Sequence, residues 1–267
     1  MRSYIGVGIV LGVIISGCGG GSGGSSDSCN GNVVYEILHY YADYEGDGTI
    51  DSTITLSYDE KARLIKLTSK GEFVTYKYGF NENLIERYEK YGEREALYKY
   101  EYNSNNENIK ITYDKNMDGT IDGTTVYNYD QNGNKVKDTH IDMNGNIDAV
   151  LTFAYDANGK LKTETKDKNG DGLTDSVETY RYDNNGNKIS RSTDENFDGV
   201  TDHYYTYIYD NNENLFKMNS DWNADGEIDY ITTYTYDENG NRVKEVEKDS
   251  TGVVNEINTY DYIKFCL

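Results

Sequence analysis

The stretch Tyr234-Thr235-Tyr236-Asp237-Glu238-Asn239-Gly240-Asn241-Arg242-Val243 is the unit from which the rest of the chain can be read. Side chains two apart on an extended chain point to the same face, so Tyr234 and Tyr236 share one side of a strand. Asn239-Gly240 is a turn pair, because both residues accept the positive φ that a tight hairpin requires. A branched apolar residue, Val243, then opens the returning strand. The segments YNYDQNGNKV from Tyr127 and YRYDNNGNKI from Tyr180 repeat this β-hairpin signature.

Working outward, tyrosines 102, 129, 155, 182, 209 and 236 recur at intervals of 27, 26, 27, 27 and 27 residues, and self-similarity at a fixed period marks a repeat architecture. Strand phase follows directly. Tyr230, Tyr234 and Tyr236 fall on one face and Ile231, Thr233 and Thr235 on the other; Leu151, Phe153 and Tyr155 keep that phase, as do Ile54, Leu56 and Tyr58. One face is thus aromatic and aliphatic, and the opposite face carries Thr, Lys, Arg and Glu. Only 36% of the 267 residues are hydrophobic and 28 are tyrosines, so the core must be thin and aromatic, with hydroxyls that need partners. Proline is absent and 27 glycines are present, which leaves the turns to Gly, Asn and Asp. The expected fold is all-β: tandem hairpin repeats of about 27 residues forming a long, curved antiparallel meander, as an open or superhelical sheet. A meander of about 16 strands exceeds the roughly ten that an open twisted sheet sustains, so it should curl with its tyrosines inward.

These tyrosine-aspartate turns resemble the YD repeats of Rhs-type bacterial proteins, over residues 50 to 262 and most closely from Tyr127 to Arg242. The resemblance bears on fold more than on activity. The units here are stretched by an inserted acidic loop, and the chain is too short for the large shell and C-terminal toxin of the biggest members of that family.

The inserted loop reads D-x-N-x-D-G-x-x-D at Asp114-Asn116-Asp118-Asp122, Asp167-Asn169-Asp171-Asp175, Asp194-Asn196-Asp198-Asp202 and Asp221-Asn223-Asp225-Asp229. An earlier copy, Asp43-Glu45-Asp47-Asp51, has Glu in third place. A sixth, His140-Asp142-Asn144-Asp148, lacks the first acid. Oxygens at positions 1, 3 and 5 converge when a glycine at 6 permits a sharp turn, which is the first half of an EF-hand loop. The closing Glu of position 12 is missing from all but one copy, which has Glu178. Asp at position 9 leading into a strand is instead similar to the calcium loops of integrin-type propeller hairpins. That resemblance implies side chains 1, 3, 5 and 9 with the carbonyl of 7 as ligands. Calcium suits an all-oxygen protein cage better than magnesium, which keeps its waters, and zinc or copper would want His or thiolate. Without a cation, three carboxylates within a few ångströms oppose folding. Several calcium sites are expected on this basis.

At the N-terminus, Arg2 precedes an apolar run from Ile5 to Ile15 that is too short to span a bilayer, and Ile15-Ser16-Gly17-Cys18 resembles the lipobox of bacterial lipoproteins. The resemblance implies a signal peptide over 1–17, cleavage before Cys18, lipid on its thiol and attachment to the cell envelope, at the outer membrane if the organism is Gram-negative. Residues 18–32 then form the lipidated cysteine and a flexible Gly/Ser tether, and 33–267 the repeat domain. Cys29 and Cys266 either pair, tying the two ends of the domain, or stand as two free thiols; spacing leaves both open.

A net charge of −21 repels nucleic acid, and Lys and Arg are dispersed without a basic patch. A transmembrane barrel is disfavoured, because both strand faces carry polar groups. His39, His140 and His203 belong to no nucleophile or metalloprotease motif and read as strand-end residues, so no catalytic residue is expected. Trp222 occupies a non-ligand loop position. The expected role is that of a calcium-binding, envelope-anchored structural or interaction lipoprotein, with the membrane reached through its lipid and a glycan or envelope protein as partner. The alternative is a calcium-dependent, adhesin-like carbohydrate-binding surface protein that uses the tyrosine ladder.

Overall fold

The computed structural model describes the backbone of residues 33–266 and the side chains of residues 37–264. The expected signal, lipidated Cys18, tether and Cys29 lie outside the described residues, as does the side chain of Cys266. Eighteen strands follow one another: β1 (Val33–Asp43), β2 (Ser52–Tyr58), β3 (Leu64–Ser69), β4 (Glu72–Tyr78), β5 (Leu84–Tyr91), β6 (Arg94–Tyr102), β7 (Asn108–Asp114), β8 (Gly123–Tyr129) and β9 (Lys135–Asp142) make the first half. The second half is β10 (Ile147–Tyr155), β11 (Leu161–Asp167), β12 (Ser176–Tyr182), β13 (Lys188–Asp194), β14 (His203–Tyr209), β15 (Leu215–Asp221), β16 (Tyr230–Tyr236), β17 (Arg242–Asp249) and β18 (Val254–Cys266).

Each strand pairs antiparallel with its successor. The last strand also pairs with the first, from Val33↔Cys266 to Asp43↔Ile257. The sheet is therefore closed into an 18-stranded barrel. The all-β antiparallel expectation holds and the open or superhelical form is corrected. Closure removes the two unpaired edges that an open meander would expose. Two hairpins, β3–β4 and β5–β6, turn on Lys70-Gly71 and Gly92-Glu93 alone and carry neither repeated turn, so the strands outnumber the sixteen read from the repeat.

What bends the sheet is local. On leaving each tyrosine-aspartate turn the register slips by one residue: Arg181 faces Ser190 while Tyr182 faces Lys188, leaving Ile189 extra. The same bulge recurs at Ile65, Ile85, Ile109, Val136, Lys162, Phe216 and Val243. Eight bulges near one end, each adding bend and twist in the same sense, curl the sheet until its ends meet.

Among the described residues, strands contact only their ladder neighbours, and no strand reaches one across the ring. Eighteen strands make a ring wider than side chains can fill. The better-buried face is the tyrosine face: in β16, Tyr230, Thr232, Tyr234 and Tyr236 are buried or half-buried while Thr235 is exposed. Side chains converge on the concave side of a closed sheet, so this face lines the lumen. A small aliphatic cluster, Ile54, Leu56 and Leu64 with Ile37, Tyr40, Tyr58, Leu67 and Tyr76, is its driest part.

Candidate functional site

Antiparallel order sorts the connections onto two rims. Every connection from an even to an odd strand is a tyrosine-aspartate turn or its Gly79/Asn103 variant, and all lie at one rim. The five D-x-N-x-D-G-x-x-D loops, which join β1–β2, β7–β8, β11–β12, β13–β14 and β15–β16, lie at the other. β1 enters and β18 leaves at the tyrosine-aspartate rim, so the acidic loops sit at the far end from the N-terminal segment.

The five acidic loops share one backbone. The position 4 residues Gly46, Met117, Gly170, Phe197 and Ala224 all have positive φ, and the position 6 glycines have φ of 88–94°. Position 6 needs glycine because that region is strained for L side chains. Position 4 is glycine where a neighbour crowds it: a Cβ on Gly170 would lie 2.2 Å from the Ile147 carbonyl oxygen, and one on Gly46 would lie 2.6 Å from Val254 Cγ1.

Hydrogen bonds repeat just as regularly. The position 1 carboxylate accepts the amide of the position 6 glycine at 2.8–2.9 Å in all five loops. Position 5 accepts the amide of position 7 at 2.7–2.8 Å. Position 9 accepts the amide of position 2 at 2.6–2.8 Å. In four loops the Asn at position 3 accepts from the amide of position 5 and donates Nδ2 to the position 5 carboxylate at 3.0–3.1 Å. Asp43, Asp114, Asp194 and Asp221 are buried at position 1, and Asp167 is half-buried. The Thr120 amide and hydroxyl hold the Asp118 carboxyl below the usual range; burial opposes the same direction at Asp167, where four loop amides outweigh it.

The loops thus assemble only oxygen donors, a chemistry that fits a hard divalent cation. Each carboxylate is oriented by backbone amides; among the described residues, no three His, Cys, Asp or Glu side chains converge as a metal-holding cluster. The sixth copy departs from the other five. Residues 142–146 form a tyrosine-aspartate type turn, in which Asp142 accepts the amides of Asn144 and Asn146 and the Asn146 Nδ2. Its D-M-N-G-N matches D-Q-N-G-N at 130–134 better than it matches the acidic loop: counted from Asp142, Asn146 stands where the acidic loops have Asp and Ile147 where they have glycine.

The second candidate, the tyrosine wall, differs from its sequence reading. Nine tyrosines donate their hydroxyls to a carbonyl on the preceding odd strand at 2.7–3.0 Å, from Tyr58 to Ile37 through Tyr262 to Arg242. The donors sit where ladders stop short of the rim: β7 and β8 pair last at Lys110↔Val126, and Tyr129 then reaches the Asn108 carbonyl. The hydroxyl replaces a missing ladder amide.

Cations cover the rings further along the lumen. Lys135 lies over Tyr127 and Phe153, Lys188 over Tyr180 and Tyr207, and Arg242 over Tyr234 and Tyr260. Their carboxylates share this face: Asp138 is 2.8 Å from Lys135 Nζ, and Glu178 is 3.0 Å from Lys166 Nζ and 3.2 Å from Arg191 Nε. The division of aromatics to one face and Arg and Glu to the other is therefore corrected; inward tyrosines recruit charge pairs to the lumen. Burial, with Asp138 beside it, pushes the Tyr127 phenol up to about 12.

His39 and His140 contact Thr55 and Thr125 hydroxyls at 3.2 and 3.1 Å, and His203 lies 3.1 Å from Glu195. Trp222 is exposed and packs on Tyr230 with ring centroids 4.7 Å apart. No helix among the described residues is long and apolar enough to cross a membrane.

The chain matches no protein-family model and no curated protein sequence. Among solved structures it is similar to a porin-like protein from Bacteroides uniformis ATCC 8492, at 17% identity and TM-score 0.48, over 85% of this chain and 96% of that one. A porin-like protein from Bacteroides vulgatus ATCC 8482 matches at 12% identity and TM-score 0.32, over 85% and 98%. The TcdB2-TccC3 structure matches at 14% identity and TM-score 0.30, over 80% of this chain and 16% of that one.

Proposed function

We propose that the protein is a non-catalytic, calcium-stabilised interaction module, held on the cell envelope by lipid on Cys18, at the outer membrane in a Gram-negative cell. The observation that supports calcium is the repetition of one hydrogen-bonded, all-oxygen loop five times along a single rim, with the first carboxylate buried in four copies. In this reading positions 1, 3, 5 and 9 supply side-chain ligands and position 7 a carbonyl. The cation supplies the positive charge that the loops lack.

The carbohydrate-binding reading is less well supported. Sugar stacking needs open ring faces and free hydroxyls. Here the hydroxyls of nine tyrosines are committed to carbonyls, and Lys and Arg cover rings of the Tyr127, Tyr207 and Tyr234 kind.

Calcium titration of the purified protein by calorimetry tests the proposal. Up to five sites are expected, with dissociation constants in the extracellular-module range of about 10⁻⁴ to 10⁻³ M. Absence of any binding heat up to several millimolar calcium would remove the metal from the proposal.

A further inference from the structure

We propose that the acidic rim is a docking surface for a basic, amphipathic polypeptide. Two features coincide there. The five acidic loops hold 18 of the chain's 47 acidic residues against two lysines, Lys115 and Lys168, a net charge of −16. The same rim gathers 12 of the 20 exposed large apolar side chains found among the described residues. They include Leu173 (69% exposed), Val200 (63%), Phe197 (54%) and Trp222 (52%).

Exposed apolar side chains interspersed with carboxylates along one rim mark an interaction surface, since a loop made only for turning or for solubility has no use for them. Three of these four side chains, Phe197, Val200 and Trp222, come from the neighbouring loops 194–202 and 221–229, which carry eight carboxylates and no Lys or Arg.

Charge decides the occupant. A second copy would bring −16 against −16 and is repelled. An anionic bilayer is repelled as well. With residues 1–17 removed as the signal of the proposed lipoprotein, the chain's own N-terminal segment is 18–32, which contains Asp27 and no Lys, Arg or large apolar residue, so it complements neither feature. A polypeptide with Lys or Arg alternating with aliphatic or aromatic side chains complements both. β1 begins at the opposite rim.

The proposal stands apart from calcium binding. If all five loops took an ion, the loops' net charge would fall from −16 to −6, which weakens the attraction without reversing it.

The test immobilises the full chain through a C-terminal tag, which lies at the tyrosine-aspartate rim, and titrates a 20-residue amphipathic Lys/Leu peptide by surface plasmon resonance. Saturable binding is expected that weakens at least tenfold in Phe197→Ser/Val200→Ser/Trp222→Ser and at least threefold in Glu195→Gln/Glu227→Gln. It should change less than twofold in Phe80→Ser/Phe216→Ser at the opposite end. A Glu/Leu peptide should not bind. Unchanged melting of each variant separates lost contact from lost fold. Equal affinity for wild type and both rim variants overturns the proposal. So does capture by phosphatidylglycerol vesicles, or self-association, that depends on the same three side chains. Calcium that leaves peptide binding unaltered, while the rim variants abolish it, sinks the calcium reading and keeps this one.

Discussion

The two rims of the barrel solve the same problem, reversing a strand, with opposite electrostatics. A tyrosine-aspartate turn such as 210–214 places one aspartate where it accepts the amides of Asn212 and Asn214 and the Asn214 Nδ2, and these bonds hold its carboxyl below the usual range. Its charge is met within five residues. An acidic loop such as 221–229 carries Asp221, Asp225 and Asp229 within nine residues, each accepting a backbone amide and none facing a cation of its own loop. The eight turns of the tyrosine-aspartate rim sum to −8 and the five acidic loops of the other rim to −16. Each carboxylate of both rims accepts hydrogen bonds, but the second rim carries twice the net negative charge, and it is this excess that the proposed calcium ions would offset.

If calcium fills the acidic loops as proposed, its removal is the largest effect that can break this contrast. A site filled at ten times its dissociation constant contributes about 1.4 kcal/mol, so five such sites contribute about 7 kcal/mol. For a domain of this size that corresponds to a fall in Tm on the order of 15 °C when EDTA replaces calcium. Hydrogen exchange should rise first in loops 114–122 and 194–202 and last in turns 130–134 and 237–241. A melting curve that EDTA leaves unchanged would make the two rims equivalent and remove calcium from the account.

A smaller effect belongs to the tyrosine-aspartate rim alone. Tyr209→Phe deletes the hydroxyl that meets the Lys188 carbonyl at 3.0 Å and leaves that carbonyl unpaired where β13 and β14 diverge. The expected loss is about 1 kcal/mol in urea unfolding, the same with or without calcium. A loss that appears only after chelation would mean that the rims are coupled through the wall.

Most of the strand pattern was legible in the sequence, because a period of two and a turn pair are local signals. Tyr234, Tyr236 and Asn239-Gly240 specify their hairpin without help from the rest of the chain. The acidic loops were legible for the same reason, down to the glycine at position 6. Three things were not. Closure depends on β1 meeting β18 across more than 200 residues of chain, and no local signal specifies that pairing. The destination of the tyrosine hydroxyl depends on a ladder that ends early on a neighbouring strand. The sixth acidic copy was misread because Gly145 falls at position 6 of the acidic pattern counted from His140 and equally at the fourth place of a tyrosine-aspartate type turn counted from Asp142.

The smallest prediction concerns the one feature that the rims share. Non-glycine residues adopt positive φ at the fourth position of both turn types, Met117 (59°) and Phe197 (56°) at one rim, Glu82 (64°) and Glu213 (65°) at the other. That conformation costs an L residue roughly 1 to 2 kcal/mol, while glycine adds about 0.5 to 1 kcal/mol of unfolded-chain entropy to be lost on folding. Met117→Gly and Glu213→Gly should therefore each stabilise by about 0.5 kcal/mol in calcium-free buffer, read as a higher urea midpoint with unchanged m. Equal gains would show that the rims have the same backbone cost and differ only in charge. A gain at Glu213 with a loss at Met117 would mean that the methionine side chain is held by a contact, and would move part of the contrast from electrostatics to packing.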